Sequence, residues 1–542
     1  MENMAKNLKK ILCAVGVLLL ALVFRLGYIQ IIGGDELAEA AHSQSLISLE
    51  GGNTRGIIYD KSGTPLVADK KRFVYIIKED KFNYQTGQLF KDINAKEVSS
   101  DNEGYYVYSS EKYDKAIGEK LIEKYGAYIL ETSARYSDKQ IAANLIGYVN
   151  KKDLSGASGL ELMFDDELSV LNRRIYAAAD VKGNILTGRG LIITSDKQGD
   201  SSIREGIRTT LDKDMQQAVE EIIGKSDKNC AVVILDVNTG GVAAMASTPS
   251  FNPNNIEEHI KNGSSELLNK ATQGEYAPGS IFKIVVAAAA LEDEFDASEE
   301  FDCAGSVKIG NIEIGCETGG EEGHGKINLK DAFSDSCNSY FIKLGQEIGY
   351  DKIKAMAEKM GLGRKTLEDY PQESTGHIMT SQESYGAGIG NLSIGQGQML
   401  ITPVQAARMT NIIASGGIDK GVHILMEDES DEKQVISKNT ADKIMDMMMS
   451  VTENGTASYL GLKDDEGNPK ASVKTGTAEY GKKEEQKSHG WITGYTPCDN
   501  PEYVITVFME GGKSGSSDVG PIYKAIINYL EDSGSYSKPT LA

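Results

Sequence analysis

The stretch Tyr276-Ala277-Pro278-Gly279-Ser280-Ile281-Phe282-Lys283, running on in apolar residues to Leu291, decides how this chain is read. Pro278 and Gly279 introduce a helix predicted over 280–291, apolar enough to hold its side chains rigidly. Residues three apart on a helix share a face, so the Lys283 amine lies beside the Ser280 hydroxyl. The N-terminal end of the helix dipole favours an alkoxide developing there. This is how a weak nucleophile acquires a base, provided that burial or neighbouring cations loosen the lysine's hold on its proton. The S-x-x-K spacing is weak by itself. Ser109 with Lys112 and Ser535 with Lys538 repeat it, in polar surroundings near turns.

Two further elements follow in order. Ser336-Cys337-Asn338, an S-x-N, falls inside a helical stretch predicted over 331–348. Ser100-Asp101-Asn102 has the commoner S-D-N wording but precedes every plausible nucleophile and reads as a turn in a polar loop. Lys474-Thr475-Gly476-Thr477 lies in a strand predicted over 471–477. Gly476 lets another backbone approach, the two threonine hydroxyls can hold a carboxylate, and Lys474 supplies positive potential. An edge strand of this kind suits a peptide with a free C-terminal carboxylate.

Around these elements the chain divides by texture. A helix is predicted over 212–223, then apolar runs at 231–237 and 241–247 joined by Asn238-Thr239-Gly240, a hairpin signal. A helix over 329–348, strands over 490–495 and 503–510 and a helix over 521–530 complete an antiparallel sheet sandwiched by helices. Residues 33–203 mix short β-rich pieces (73–77, 105–108) with polar helical stretches and read as an extended module. At the start, Lys6, Lys9 and Lys10 precede an apolar run over 11–24 that resumes after Arg25 to Ile32. Roughly 22 residues make about 33 Å of helix, enough to span a bilayer. We read an uncleaved anchor with its lysine-rich end in the cytoplasm and everything after residue 33 outside.

Composition removes other classes. Lys and Arg number 57 against 79 Asp and Glu, and a net charge of −22 repels nucleic-acid backbones. Six cysteines without a C-x-x-C pair argue against zinc, and Cys303 and Cys316 read either as one disulfide or as two buried thiols. The six histidines include no H-E-x-x-H and no evident metal cluster; His324 and His489 read as structural. Gly511-Gly512-Lys513-Ser514 fails as a P-loop because position 507 is Val, and Gly386, Gly388 and Gly390 read as a turn.

The ordered set S-x-x-K, S-x-N, K-T-G is shared by penicillin-binding proteins and class A β-lactamases. The chain resembles a class B penicillin-binding protein along most of its length. Supporting stretches include Arg55-Gly-Ile-Ile-Tyr-Asp60, Arg135-Tyr136, Ser158-Gly-Leu-Glu161, Gly395-Gln-Gly397, Gly455-Thr-Ala457 and Trp491-Ile-Thr-Gly494, which read as turns and core strands. The resemblance implies an α+β fold: a cytoplasmic tail (1–10), a transmembrane helix (11–32), an N-terminal pedestal, dimerisation-like, over 33–203, and a transpeptidase domain over 204–542. It also implies a serine D,D-transpeptidase that cross-links peptidoglycan stem peptides through an acyl-enzyme on Ser280 and is acylated by β-lactams.

In that reading Lys283 is the general base, Ser336 relays the proton and Asn338 orients Lys283 and the substrate amide. Lys474, Thr475 and Thr477 hold the terminal carboxylate, Gly476 lines the substrate site between them, and the backbone N–H groups of Ser280 and Thr477 form the oxyanion hole. No metal or organic cofactor is expected. The expected partners are stem peptides, β-lactams, the cytoplasmic membrane and a separate membrane-embedded glycan polymerase, with no nucleic acid. Two other classes share the motifs. A β-lactamase needs a base to activate a deacylating water, and no E-x-x-L-N follows Ser336; a non-catalytic sensor or scaffold for β-lactams or wall fragments needs none of the chemistry. Cys337 at the middle of the S-x-N is a thiol near the site, open to oxidation or alkylation.

Overall fold

In a computed structural model of the chain, the described residues are 54–99, 104–151, 154–169, 206–263, 265–320, 322–428, 432–481, 487–512 and 515–536, with shorter pieces at 46–48, 173–178 and 191–195 and positions between 10 and 25. The Ser100-Asp101-Asn102 turn and most of 33–53 lie outside them. Among the described residues no helix is long and apolar enough to cross a membrane. Within the expected anchor, residues 15–22 are helical, while several of its other positions lie outside the described residues.

The second half is built on a five-stranded sheet in which every neighbouring pair is antiparallel. In chain order its strands are β1 (Cys230–Asp236), β2 (Val242–Thr248), β3 (Ser472–Tyr480), β4 (Lys487–Thr496) and β5 (Tyr503–Gly512), in spatial order β2-β1-β5-β4-β3. The turn between β1 and β2 closes as the sequence suggests. Asp236 Oδ1 accepts from the N–H groups of Asn238 and Thr239, and Gly240 takes a positive φ of 80°.

Helices cover both faces. Helix α1 (Lys213–Ile223) is capped by Asp212, whose side chain accepts from Met215 N, and buries Met215, Val219 and Ile223 at four-residue spacing. It packs on one face beside the last helix, α7 (Gly515–Asp532). Against the other face lie α5 (Pro403–Ala414), closed at its start by a Thr402/Gln405 capping box, and α6 (Lys438–Glu453). Behind these, α2 (Lys283–Glu292) is buried on all sides from Ile284 to Leu291, as its apolar sequence requires.

The helix expected over 331–348 is two helices, α3 (Leu329–Ser334) and α4 (Asn338–Ile348). Ser336 sits between them in the left-handed region at φ 56°. The N–H of Ser336 bonds to Phe333 O at 3.3 Å and that of Cys337 to Ala332 O at 2.8 Å, which is a Schellman cap with serine where glycine is usual. A serine held there costs roughly 1–2 kcal/mol, and the periodic apolar pattern on either side conceals the break.

In the N-terminal half, a four-stranded sheet runs in the order Lys96–Ser99, Tyr105–Ser110, Lys70–Lys78, Tyr128–Ala134, with its own small cores. Ser109 is the next-to-last residue of one of its strands, with a bend following at Glu111. The segments flanking this sheet behave differently. Ile58, Leu66, Val67, Tyr136, Leu145 and Leu160 belong to the same hydrophobic core as α1 and the five-stranded sheet. Ile57–Tyr59 pairs in parallel with Gly206–Arg208, which leads directly into α1.

A buried ion cluster fastens this junction. Glu161 accepts from Arg55 Nε (2.8 Å), Arg135 Nε and Nη2 (2.7 Å each) and Tyr136 Oη (2.9 Å), and Arg55 also reaches Asp165 at 2.8 Å. Three stretches that read as turns and core strands in the sequence thus meet at one carboxylate.

Candidate active site

Ser280 is the second residue of a short 3-10 turn, Gly279–Phe282, which hands the chain to α2 at Lys283. Gly279 has φ 56°, and a Cβ on it would stand 2.2 Å from Thr477 O. A Cβ on Gly476 would meet Pro278 O at 3.0 Å, and one on Gly395 would meet Gly279 O at 2.2 Å. Glycine is therefore required where the K-T-G strand and the Gly395 turn close on Ser280. Trp491, opposite Gly476 on β4, is fully buried and donates from Nε1 to Ala277 O at 2.9 Å, bracing the same turn.

These contacts carry a prediction. Gly279→Ala forces the backbone out of the left-handed region and pushes Ser280 away from β3; a displacement of about 1 Å at reacting atoms costs on the order of 10²-fold in rate. Acylation by a labelled penicillin should fall by about that factor while circular dichroism stays native.

The expected site residues arrive at one place. Ser280, Ser336, Asn338, Thr475, Gly476 and Thr477 line a cleft of about 570 Å³, and Lys283 and Lys474 lie fully buried beneath it. Lys283 Nζ donates to Ser336 O (2.7 Å), Asn338 Oδ1 (2.8 Å) and Ser336 Oγ (3.2 Å). Asn338 is fixed in turn, because its Nδ2 donates to Gly315 O at 3.2 Å, which sets the amide orientation. Lys474 Nζ donates to the same Ser336 Oγ at 3.1 Å and to Thr475 O at 3.0 Å. The left-handed turn at Ser336 is what aims that hydroxyl between the two amines.

Each buried amine also faces an aromatic ring, Lys283 that of Phe341 at 5.5 Å and Lys474 that of Phe333 at 5.6 Å. Lys474 is pulled well below the usual lysine range, first by burial and then by the positive charge of Lys283. A neutral amine has two N–H donors and one lone pair. At Lys283, a neutral amine would donate to Ser336 O and Asn338 Oδ1 and accept from the Ser336 hydroxyl.

Several residues that read only as turns or core in the sequence reach the cleft. Gln396 lines it and donates to Thr477 O at 3.4 Å, and Thr456 shares a 2.6 Å hydrogen bond with the Thr475 hydroxyl. Thr318, Ile394 and Glu479 complete the wall. A neighbouring cleft of about 920 Å³ shares Asn338, Ile394, Gln396 and Glu479. No motif singles out Thr318 or Glu479; Gln396 and Thr456 were signalled only by the glycines beside them.

The cysteines need two corrections. Cys337 does not open on the cleft: it is fully buried, caps α4 by accepting from Tyr340 N at 3.4 Å, and turns its sulfur toward Cys316. Cys303 and Cys316 are free buried thiols, and with His324 and Cys337 they form a cluster whose ligand atoms all lie within 4.8 Å of one another. The sequence concealed it because its members are spaced 13, 8 and 13 residues apart, too widely for a short metal signature.

The comparisons agree on the fold. Residues 230–528 match the penicillin binding protein transpeptidase domain. The chain is 25% identical to the peptidoglycan D,D-transpeptidase MrdA of Escherichia coli, over 95% of this chain and 92% of that protein. Among solved structures it superposes on a penicillin-binding protein (PBP2) from Helicobacter pylori in complex with MreC, with a TM-score of 0.69 and 22% identity over 90% of this chain and 99% of that one. It also superposes on penicillin binding protein 3 from Mycobacterium tuberculosis complexed with aztreonam, with a TM-score of 0.63 and 22% identity over 90% and 98%. With the three motifs gathered on one cleft and an N-terminal module before them, the chain belongs to the penicillin-binding protein transpeptidase family, as a class B penicillin-binding protein.

Proposed function

We propose that this protein is a serine D,D-transpeptidase that cross-links peptidoglycan stem peptides and is acylated by β-lactams. The observation that carries the reading is the pair of buried amines, Lys283 and Lys474, sharing the Ser336 hydroxyl at 3.2 and 3.1 Å beneath a cleft that Ser280 also lines. Lys283 Nζ takes the Ser280 proton as Oγ attacks the carbonyl between two terminal D-alanines. Backbone N–H groups of Ser280 and Thr477 receive the oxyanion, each worth on the order of 3 kcal/mol in the transition state. Ser336 passes a proton from the amine pair to the departing D-alanine nitrogen. The amine of a second stem peptide, for which the neighbouring cleft leaves room, then takes the acyl group from Ser280.

Lys474, Thr475 and Thr477 hold the terminal carboxylate, and its negative charge returns a proton to Lys474 that burial and then repulsion from Lys283 had loosened. Substrate binding thereby draws protonation toward Lys474 and away from the base. The pH dependence follows. Acidification adds a second proton to the pair and removes the base, so acylation slows on the acid side with an apparent pKa that belongs to the pair. Lys474→Met removes the repulsion, and the acid limb of the rate profile moves to higher pH; a limb that stays in place contradicts the coupling.

The four-part organisation, with a tail over 1–10, an anchor over 11–32, a pedestal over 33–203 and the transpeptidase domain over 204–542, belongs to the same proposal. In support of the anchor, Leu18, Leu19, Leu20 and Leu22 on the described helix are 50–65% exposed, an apolar surface that lipid would cover. The catalytic domain then lies outside the cytoplasmic membrane, where a membrane-embedded glycan polymerase would supply the strands to be joined. A test supplies a stem peptide ending in D-Ala-D-Ala together with an acceptor amine. Release of D-alanine and a cross-linked product, both lost in Ser280→Ala, support the reading; neither product from wild type rejects it.

A further inference from the structure

We propose that Glu479 draws the ammonium group of the acceptor into the neighbouring cleft and selects an acceptor with no carboxylate beside its amine. This deepens the transpeptidase reading and rests on it. Glu479 lies on β3, two residues past Thr477. Alternate residues of a strand share a face, so it continues the row that Thr475 and Thr477 begin. Its side chain is exposed, whereas Ala478 before it is buried. It lines both the cleft that holds Ser280 and the larger cleft beside it. β3 is the edge strand of its sheet, so a second peptide has room to lie along it.

Charge decides what this carboxylate would hold. Among the described residues that line the two clefts, Glu479 is the only charged one. Among the described residues, its carboxylate pairs with no cation. A carboxylate entering the larger cleft would therefore meet a like charge and no compensating cation, while an ammonium would meet an open partner. The opposite polarity stands five residues earlier on the same strand, roughly 17 Å back, at the buried amine of Lys474. The two ends match the two substrates: the donor ends in a carboxylate, and the acceptor brings an ammonium.

The wall around Glu479 suits the alkyl arm that carries such an amine. Ile314, Ile394 and Tyr480 line the larger cleft with apolar surface. Tyr480 is held in place by a ring stacked on His489 at 4.0 Å, and His489 is itself only 7% exposed. Ile314 is packed against Gly390, where an added Cβ would stand 3.1 Å from its Cδ1. The wall is thus formed before any acceptor arrives, which spares the cost of ordering it.

Glu479 gathers and orients the acceptor and takes no part in bond making. The ammonium releases one proton to solvent as it leaves the carboxylate. Its neutral nitrogen then attacks the Ser280 ester, and the new C–N bond forms as the C–Oγ bond breaks. The second proton passes from nitrogen through Lys283 to Ser280 Oγ, which restores the free hydroxyl. Glu479 is accordingly a positioning residue, whose loss raises the concentration of acceptor needed.

The test follows the fate of the acyl-enzyme in the detergent-solubilised full chain, supplied with a stem peptide ending in D-Ala-D-Ala. Two peptide acceptors are compared, one with a lone lysine-type side-chain amine and its match with a carboxylate on the carbon that bears the amine. The readout is the ratio of aminolysis product to hydrolysis product, which does not depend on how fast the enzyme is acylated. Wild type should prefer the lone amine by about tenfold or more, the worth of one hydrogen bond to a charged group. That preference should shrink as salt rises from about 0.01 to 1 M, where screening shortens from about 30 to 3 Å. Glu479→Gln should need about tenfold more lone amine for the same ratio and respond little to salt, and Glu479→Asp should keep the preference. Equal ratios for wild type and Glu479→Gln, or a wild-type preference for the carboxylate-bearing acceptor, overturn the proposal. A Glu479→Gln acyl-enzyme that hydrolyses more slowly than wild type makes Glu479 the activator of water and overturns it as well. Failure of wild type to release D-alanine rejects the transpeptidase reading itself, and this proposal with it.

Discussion

Lys283→Met should lower the rate of acylation by a labelled penicillin by about 10³- to 10⁴-fold, the upper part of the range for a positioned general base. The Lys283 amine has no exposed surface and is the group that bonds both the backbone and the hydroxyl of Ser336 as well as Asn338. Methionine nearly matches its volume, so the cleft keeps its shape. Two acceptors, Ser336 O and Asn338 Oδ1, lose their donor, at roughly 1–3 kcal/mol each. Removal of a desolvated amine from beside Lys474 offsets part of that cost. Stopped-flow acylation with circular dichroism as the control checks it. A loss below tenfold in a folded variant would remove Lys283 from the role of base.

The largest effect on stability should come from Glu161→Gln. Glu161 and Arg55 have fully buried side chains and Arg135 is 11% exposed, so the substitution leaves two guanidinium groups without their shared carboxylate. Breaking a buried pair from one side costs about 3–5 kcal/mol, which corresponds to a fall of roughly 10 °C in melting temperature for a domain of this kind. Burial alone would raise the Glu161 pKa, but Arg135 and Arg55 outweigh it and hold the carboxyl below its ordinary 4.5. The contribution is therefore complete above pH 4.5 and is lost as pH falls through the lower folded value. Thermal melts from pH 7 down to pH 3 should show wild type losing this increment and Glu161→Gln lacking it. Equal melting temperatures at pH 7 would mean that the cluster does not fasten the N-terminal segments to the catalytic core.

The sequence exposed the chemistry more readily than the local shapes that deliver it. Ser280, Lys283, Ser336 and Lys474, which the structure brings to one cleft, were legible because the ordered set S-x-x-K, S-x-N, K-T-G falls on apolar elements, and β1 to β5 were legible as short apolar runs with turn residues between them. The break at Ser336 was not, because a serine in the left-handed region carries none of the glycine signal by which a helix end is recognised. Cys303, Cys316, His324 and Cys337 were hidden for a different reason: no two are close enough in sequence to form a metal signature, and only the fold of 301–337 brings them together. Gln396 and Thr456 lay between small residues that fix turns, and nothing in that pattern says which side chain those turns present to a ligand.

The central claim, that Ser280 is a nucleophile poised for a stable acyl-enzyme, is tested most directly by intact mass spectrometry of the solubilised chain against time after mixing with a labelled penicillin. The account predicts one covalent adduct on wild type, mapped to Ser280, persisting for many minutes and absent from Ser280→Ala. Rapid return to free enzyme with hydrolysed drug, or no adduct on wild type, would contradict it.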